Sequence, residues 1–332
     1  MTATLVLHDE LTRALGAAAA LQVETGGVLL ARMLRGPSGE VRLLGEAVRW
    51  VDESAYIKRT RDEMLIASHG FVPALGEAAD RGLVPIWLHT HPGVRGVPLP
   101  SNYDREVDRQ LADVFRLRSE APAYATLIIS PRQDGLAFSG ALQWEDGSET
   151  ALDRLWQVGD RWRLTRAFNS NQGAIPDVYD RNVRAFGAAI QEMLGGLKIA
   201  VIGAGGTGSA TCEQLVRLGV RRLLLVDSDT LSASNVTRVY GSTPADVGRP
   251  KVEVLRDHLT RIAPDLDCEA LRSMITLEPA ARRLADCDLV FGCTDDNAGR
   301  LVLSRVATFL LTFSPPPSIK SLDEMRERFL SL

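Results

Sequence analysis

The chain has 332 residues, 45% apolar and 24% charged, a globular composition that excludes disordered and collagen-like architectures. At about 150 residues per domain this length implies roughly two domains. With 38 basic and 42 acidic residues the net charge is −4, so no basic surface is offered to polyanions and nucleic acid is not expected as a partner.

Along the chain, Asp9 and Glu10 precede an Ala-rich run where a secretory leader would carry basic residues. The longest apolar stretches, residues 16–21 and 306–313, fall far short of the roughly 20 that cross a bilayer. A cytoplasmic protein without membrane contact is therefore expected. Apolar runs at 27–31, 84–88 and 125–129 read as strands. Helical spacing at 62–81 and 102–117 places helices before the second strand and after a Pro- and Gly-rich loop. The run FNSNQGAIPD has linker composition. The expected domains are 1–168 and 177–314, joined by a linker at 169–176 and followed by a tail at 315–332 that opens on three prolines. Past the linker come a helix at 178–194, a strand at 198–202, a Gly-rich turn, a helix to about 218 and a strand at 222–226, which form a βαβ unit. Cys212, Cys268, Cys287 and Cys293 include no C-x-x-C pair, against both a disulfide framework and a zinc ribbon.

His89 and His91, two apart at the end of an apolar strand, project from one face, so two imidazoles can share an ion. Catalytic zinc takes three protein ligands and keeps one position open, and Asp104, at the start of a helix, is the candidate third. Glu24, just ahead of Gly26 and Gly27, is the candidate proton carrier. Each has a plainer reading alone: a chance histidine pair, and a capping box in Ser101-x-x-Asp104. The series ETGGVLLA, HTHP and SNYD, however, resembles the JAB/MPN (JAMM) metalloprotease motif. That resemblance implies a cytidine-deaminase-like α/β domain. It implies Zn2+ on His89, His91 and Asp104, with Glu24 as general acid/base and Ser101 helping to hold the water or the oxyanion. Nine residues separate His91 from Ser101, two more than usual, and a Pro and Gly loop can absorb the difference.

GAGGTG, with Gly203, Gly205, Gly206 and Gly208, follows a strand and opens a helix, which aims backbone N–H groups at a phosphate. Asp227, at the end of the next strand, could hold the ribose of NAD as well as that of ATP, so the glycines leave the nucleotide open. VDSDTLSASNVTRVYG, GRPKVEV and DLVFGCTDD resemble in order the Rossmann-like adenylation fold of ThiF, MoeB and ubiquitin-activating enzymes. The resemblance implies that Asp227 binds the ATP ribose, that Asn235, Arg238 and Lys251 contact the phosphates, and that Asp295 binds Mg2+. It also implies a homodimer in which Arg181 reaches the partner's site. Only four of the 38 basic residues are lysines, which singles out Lys251. The plainer readings are a helix cap for Asp295 and surface ion pairs for Arg238 and Arg181. The family's later strands and crossover loop have no counterpart here, so this domain is expected to be incomplete and none of the four cysteines to form a thioester.

Together the resemblances imply a zinc isopeptidase cutting after the C-terminal glycine of a ubiquitin-like or sulfur-carrier protein, fused to an ATP-dependent domain that adenylates such a C-terminus. Two alternatives stand beside this: a non-catalytic scaffold that binds the modifier, and an NAD-linked oxidoreductase built on GAGGTG.

Overall fold

The computed structural model describes residues 2–94, 96–132, 135–160, 162–167 and 175–311, with side chains to 307. It divides into two compact units, the first taken from Met1–Arg35 and Gly39–Ser170, the second chiefly from Asn171–Leu310.

The first unit opens with β1 (Thr2–His8), α1 (Asp9–Ala19), β2 (Gly26–Arg35) and β3 (Val41–Trp50). The short strands β4 (Tyr56–Arg59) and β5 (Met64–Ile66) form a separate hairpin, followed by α2 (Val72–Arg81) and β6 (Val84–Thr90). Next come α3 (Asn102–Ser119), β7 (Ala123–Arg132), β8 (Gly135–Trp144), β9 (Glu149–Val158) and β10 (Arg163–Arg166). The main sheet runs β1-β3-β2-β6-β7-β8-β9-β10, and β1 also pairs in parallel with β9, so seven strands close on themselves. Alternation along each strand separates two cores. Leu5, Leu29, Leu43, Ile86, Leu88, Leu127 and Phe138 point inward onto Leu11 and Leu15 of α1. Val28, Leu30, Trp87 and Tyr124 point outward onto Leu75 of α2 and Phe115 of α3. The same alternation that turns Ile86 and Leu88 in and Trp87 out turns His89 out, to the side covered by α3.

Phe115 is fully buried, stacked on Phe71 at 5.8 Å and edge-on to Trp87 and Tyr124 at 6.1 and 5.1 Å. Phe115→Ala should destabilise the first unit by about 3–5 kcal/mol, the cost of a large aromatic cavity. All five tryptophans lie in this unit, so urea denaturation followed by tryptophan fluorescence reads its stability. A shift worth less than about 1 kcal/mol would show that the aromatic cluster collapses around the gap.

The second unit contains α4 (Asp180–Phe186), α5 (Ala188–Gly196), β11 (Lys198–Ile202), α6 (Gly206–Arg217) and β12 (Arg222–Val226). It continues with α7 (Lys251–Ile262), β13 (Asp267–Leu271), α8 (Glu278–Arg282), β14 (Leu289–Gly292) and α9 (Asn297–Leu311). Its sheet is wholly parallel in the order β13-β12-β11-β14, a Rossmann-like arrangement. β11 and β12 are covered on both faces and are accordingly almost uninterrupted apolar runs, as parallel central strands require.

Two expected elements differ. The helix expected over 62–81 begins only at Val72. Ahead of it, Met64 and Ile66 pack inward while Leu65 is exposed, a period of two, and Gly70 lies so close to Ala55 and Val51 that no side chain would fit. The helix expected over 178–194 is two helices, because Gly187 has φ +88°, outside the helical region. β14, the strand that ends before Cys293, lies at the edge of the sheet with Val290 and Phe291 exposed. The linker's first six positions and the tail at 315–332 lie outside the described residues.

Candidate functional site

In the first unit the three expected metal ligands converge. His89 is the last residue but one of β6, His91 follows one residue past its end, and Asp104 stands in the first turn of α3. The His89 and His91 Nε2 atoms are 3.2 Å apart, and they lie 3.4 and 3.5 Å from the two carboxylate oxygens of Asp104. Ligands held about 2.0–2.1 Å from a tetrahedral ion lie about 3.3–3.4 Å from one another, close to the separation of the two imidazole nitrogens, and the Asp104 carboxylate faces both with one oxygen toward each. Two imidazole nitrogens and a carboxylate facing one point repel unless a proton or cation sits among them, and the donor set of two nitrogens and one oxygen suits zinc. No other group of three His, Cys, Asp or Glu donors this close occurs among the described residues.

Ser101 and Asp104 also form the capping box that the spacing allowed. The Ser101 Oγ accepts from the Asp104 N–H at 3.1 Å, and the Asp104 carboxylate accepts from the Ser101 N–H at 2.7 Å. Cap and ligand are thus one arrangement, since the capping bond fixes the carboxylate that faces the histidines. Burial pushes the Asp104 carboxyl up, but its bonds to the two imidazoles outweigh this and hold it well below the usual carboxylate range. Glu24 is half-buried on the loop before β2, where burial raises its proton affinity against the pull of His89 and His91. The loop is tied to the histidine strand by a residue that the motif does not mark. Thr90, between the two histidines, accepts from the Thr25 N–H on Oγ1 at 3.0 Å and donates its own N–H to the Thr25 carbonyl at 3.1 Å.

In the second unit the glycine loop joins β11 to α6 at the point where the strand order reverses, the position where such sheets bind ligands. Gly203 has φ +101°, and a Cβ there would meet the Cys293 carbonyl oxygen at 2.7 Å; one on Gly208 would meet the Gly203 carbonyl oxygen at 1.7 Å. Those two contacts bring the loop, α6 and the segment leading to Asp295 together as only glycine permits. Asp227, at the end of β12, accepts from the Ala204 N–H at 2.7 Å and from the Asp229 N–H at 2.8 Å. Arg238 packs along Gly206 and donates to the Ser234 carbonyl, and Gly205 stands at the N-cap of α6. Lys251 begins α7 and pairs with Asp229 at 2.7 Å.

Asn235 is buried and accepts from the Ser232 N–H, so it shapes its own turn, with its amide N–H2 still available. Asp295 is exposed and is not the cap of α9; Asp296 accepts from the Ala298 and Gly299 N–H groups instead. Arg181 is exposed on α4, and no hydrogen bond or ion pair among the described residues ties it to this cluster. The sequence reading passed over Asp229, although its spacing from Asp227 puts it at the same strand end. Cys212 and Cys287 are buried, and burial pushes the Cys268 thiol up to about 12. Cys293 is half-buried, its sulfur 3.9 Å from the Thr211 hydroxyl.

Residues 179–313 match the ThiF family, and the chain carries a ThiF-family domain there. It is 39% identical over 124 residues to the molybdopterin-synthase adenylyltransferase of Escherichia coli, covering 37% of this chain and 50% of that protein. Against the sulfur carrier protein ThiS adenylyltransferase of Escherichia coli the identity is 34% over 122 residues, covering 37% and 49%. Against the tRNA threonylcarbamoyladenosine dehydratase of Bacillus subtilis it is 38% over 100 residues, covering 30% and 39%. The chain thus spans half or less of the length of these relatives.

Proposed function

We propose that residues 1–168 are a JAB/MPN (JAMM) zinc isopeptidase domain that cleaves after the C-terminal glycine of a ubiquitin-like or sulfur-carrier protein. We further propose that residues 177–314 bind ATP with Mg2+ and adenylate such a C-terminus. The observation that carries the first arm is the convergence of His89, His91 and Asp104, one donor atom from each within 4.8 Å of the others, with the half-buried Glu24 carboxyl beside them.

In this reading His89, His91 and Asp104 hold Zn2+, which supplies Lewis acidity toward water and toward the scissile carbonyl. Glu24 takes a proton from the attacking water on its carboxylate and returns it to the departing amine. Its raised proton affinity brings it nearer to the working range of a general base at neutral pH. The Ser101 hydroxyl, accepting from the Asp104 N–H, keeps its own proton to donate to the oxyanion.

In the second arm, the N–H groups of the glycine loop receive the phosphates at the start of α6, and Asp227 takes the ribose. Asn235, Arg238 and Lys251 contact the triphosphate, and Asp295 holds Mg2+. The C-terminal glycine carboxylate attacks the α-phosphorus, forming an acyl adenylate as pyrophosphate departs. Arg181 serves the partner copy of a homodimer. The relatives named as adenylyltransferases of molybdopterin synthase and of the sulfur carrier ThiS support a protein as the acceptor.

The purified chain should contain about one zinc per molecule and release the downstream part of a Gly-terminated ubiquitin-like fusion, and chelation should abolish the cleavage. Metal analysis that finds the wild-type site empty, in protein never exposed to chelator, would reject the isopeptidase arm.

A further inference from the structure

We propose that Arg59 is a positioning residue that fixes Glu24 in front of the His89, His91 and Asp104 cluster. The inference rests on the isopeptidase reading and deepens it. Glu24 and Thr25 lie outside regular structure, between α1 and β2, so their backbone groups must find partners elsewhere. Those partners come from two sides. Thr90, on the histidine strand, takes the amide and carbonyl of Thr25. The hairpin of β4 and β5 takes the rest. The Thr60 carbonyl accepts from the Glu24 N–H at 2.7 Å, and the Tyr56 hydroxyl accepts from the Gly26 N–H at 3.0 Å. Arg59 supplies the remaining two bonds, from Nε to the Glu24 carbonyl at 2.9 Å and from Nη2 to the Thr25 hydroxyl at 2.7 Å.

Arg59 is itself immobilised. Its side chain is 17% exposed, its Nη1 pairs with Glu53, and its guanidinium lies 4.5 Å over the Tyr56 ring. A planar fork with five fixed donors can serve Glu24, Thr25 and Glu53 at once, which a lysine ammonium on a flexible stem cannot reproduce. The hairpin also presses on the loop from above, since a Cβ on Gly26 would stand 2.8 Å from Ile66 Cδ1. Glu24 is thus held between the strand that carries the histidines and a hairpin that carries no ligand, and Arg59 is the bolt on the hairpin side. Without it the Glu24 carbonyl and the Thr25 hydroxyl lose their tie to the hairpin, leaving the N–H bond to Thr60 to hold Glu24 alone on that side, and a carboxylate displaced by about 1 Å loses up to about 100-fold in rate.

The test compares the full chain with Arg59→Gln and Arg59→Lys by hydrogen exchange, zinc content and cleavage kinetics. In Arg59→Gln the amides of Glu24 and Gly26 should exchange about tenfold faster or more, while those of β6 stay protected. Zinc content should match wild type, and kcat should fall about 10- to 100-fold with KM within about twofold. Arg59→Lys should lie between, and it serves as the probe if Arg59→Gln does not fold. Unchanged exchange at Glu24 and Gly26, a kcat loss under about twofold, or a loss confined to KM would overturn the proposal. If the wild-type chain neither holds zinc nor cleaves, the isopeptidase reading fails, and the exchange comparison by itself decides whether Arg59 holds Glu24.

Discussion

Glu24→Gln is expected to keep its zinc and to cleave a Gly-terminated fusion at least about 100-fold more slowly than wild type. The substitution preserves shape and leaves the backbone bonds to Thr60 and Arg59 in place, because those bonds use the amide and carbonyl of residue 24 and not its carboxyl group. It also leaves the His89, His91 and Asp104 triangle intact, so metal content should not change. What it removes is a carboxyl group near the triangle whose proton affinity is raised by burial and which can both accept and return a proton. Metal analysis and cleavage of the same preparation separate the roles. Loss of zinc together with activity would make Glu24 a ligand, and full activity would assign the proton transfer to another residue.

Lys251→Ala should weaken ATP binding by about 10- to 100-fold, the worth of one charge-assisted contact to a phosphate. Two effects add. The ammonium is lost, and the Asp229 carboxylate that it neutralises at 2.7 Å is left beside the site, where it repels a triphosphate. The stem of Lys251 is largely covered and its N–H is anchored on the Asp229 carbonyl, so the start of α7 should survive the change. Calorimetric titration of wild type and variant with ATP and Mg2+ checks the size, with NADH as the contrasting ligand. Tight NADH binding without ATP binding would favour the oxidoreductase alternative and remove the adenylating arm.

Much of both sites could be read from the chain because the residues involved are fixed by their near neighbours. Alternation along β6 places His89 on the α3 side wherever Ile86 and Leu88 face inward, and His91 follows two residues on. The capping box spaces Ser101 and Asp104 without help from afar. In the second unit, Lys198–Ile202 and Arg222–Val226 match the expected strands because a basic residue followed by four apolar ones and closed by Gly203 or Asp227 leaves little choice. Where local signals compete they mislead. Residues 62–71 have apolar positions that suit a helix as well as a strand, and pairing of β4 with β5 decides for the strand.

The sequence by itself determined the identities and order of Glu24, His89, His91, Ser101 and Asp104, the glycine loop, and the run from Asp227 to Asp295, since these motifs are short and their spacing is written in the chain. Only the tertiary structure decided the rest. It closed β1 onto β9, turned the Asp104 carboxylate toward the two imidazoles, gave Lys251 to Asp229, and moved the cap of α9 from Asp295 to Asp296. It also brought Arg59 to Glu24 and Thr90 to Thr25, bonds that span 35 and 65 residues. A hydrogen bond between distant segments depends on how strands register and which way each face turns, and that is fixed by packing of the whole unit, not by any pattern along the chain.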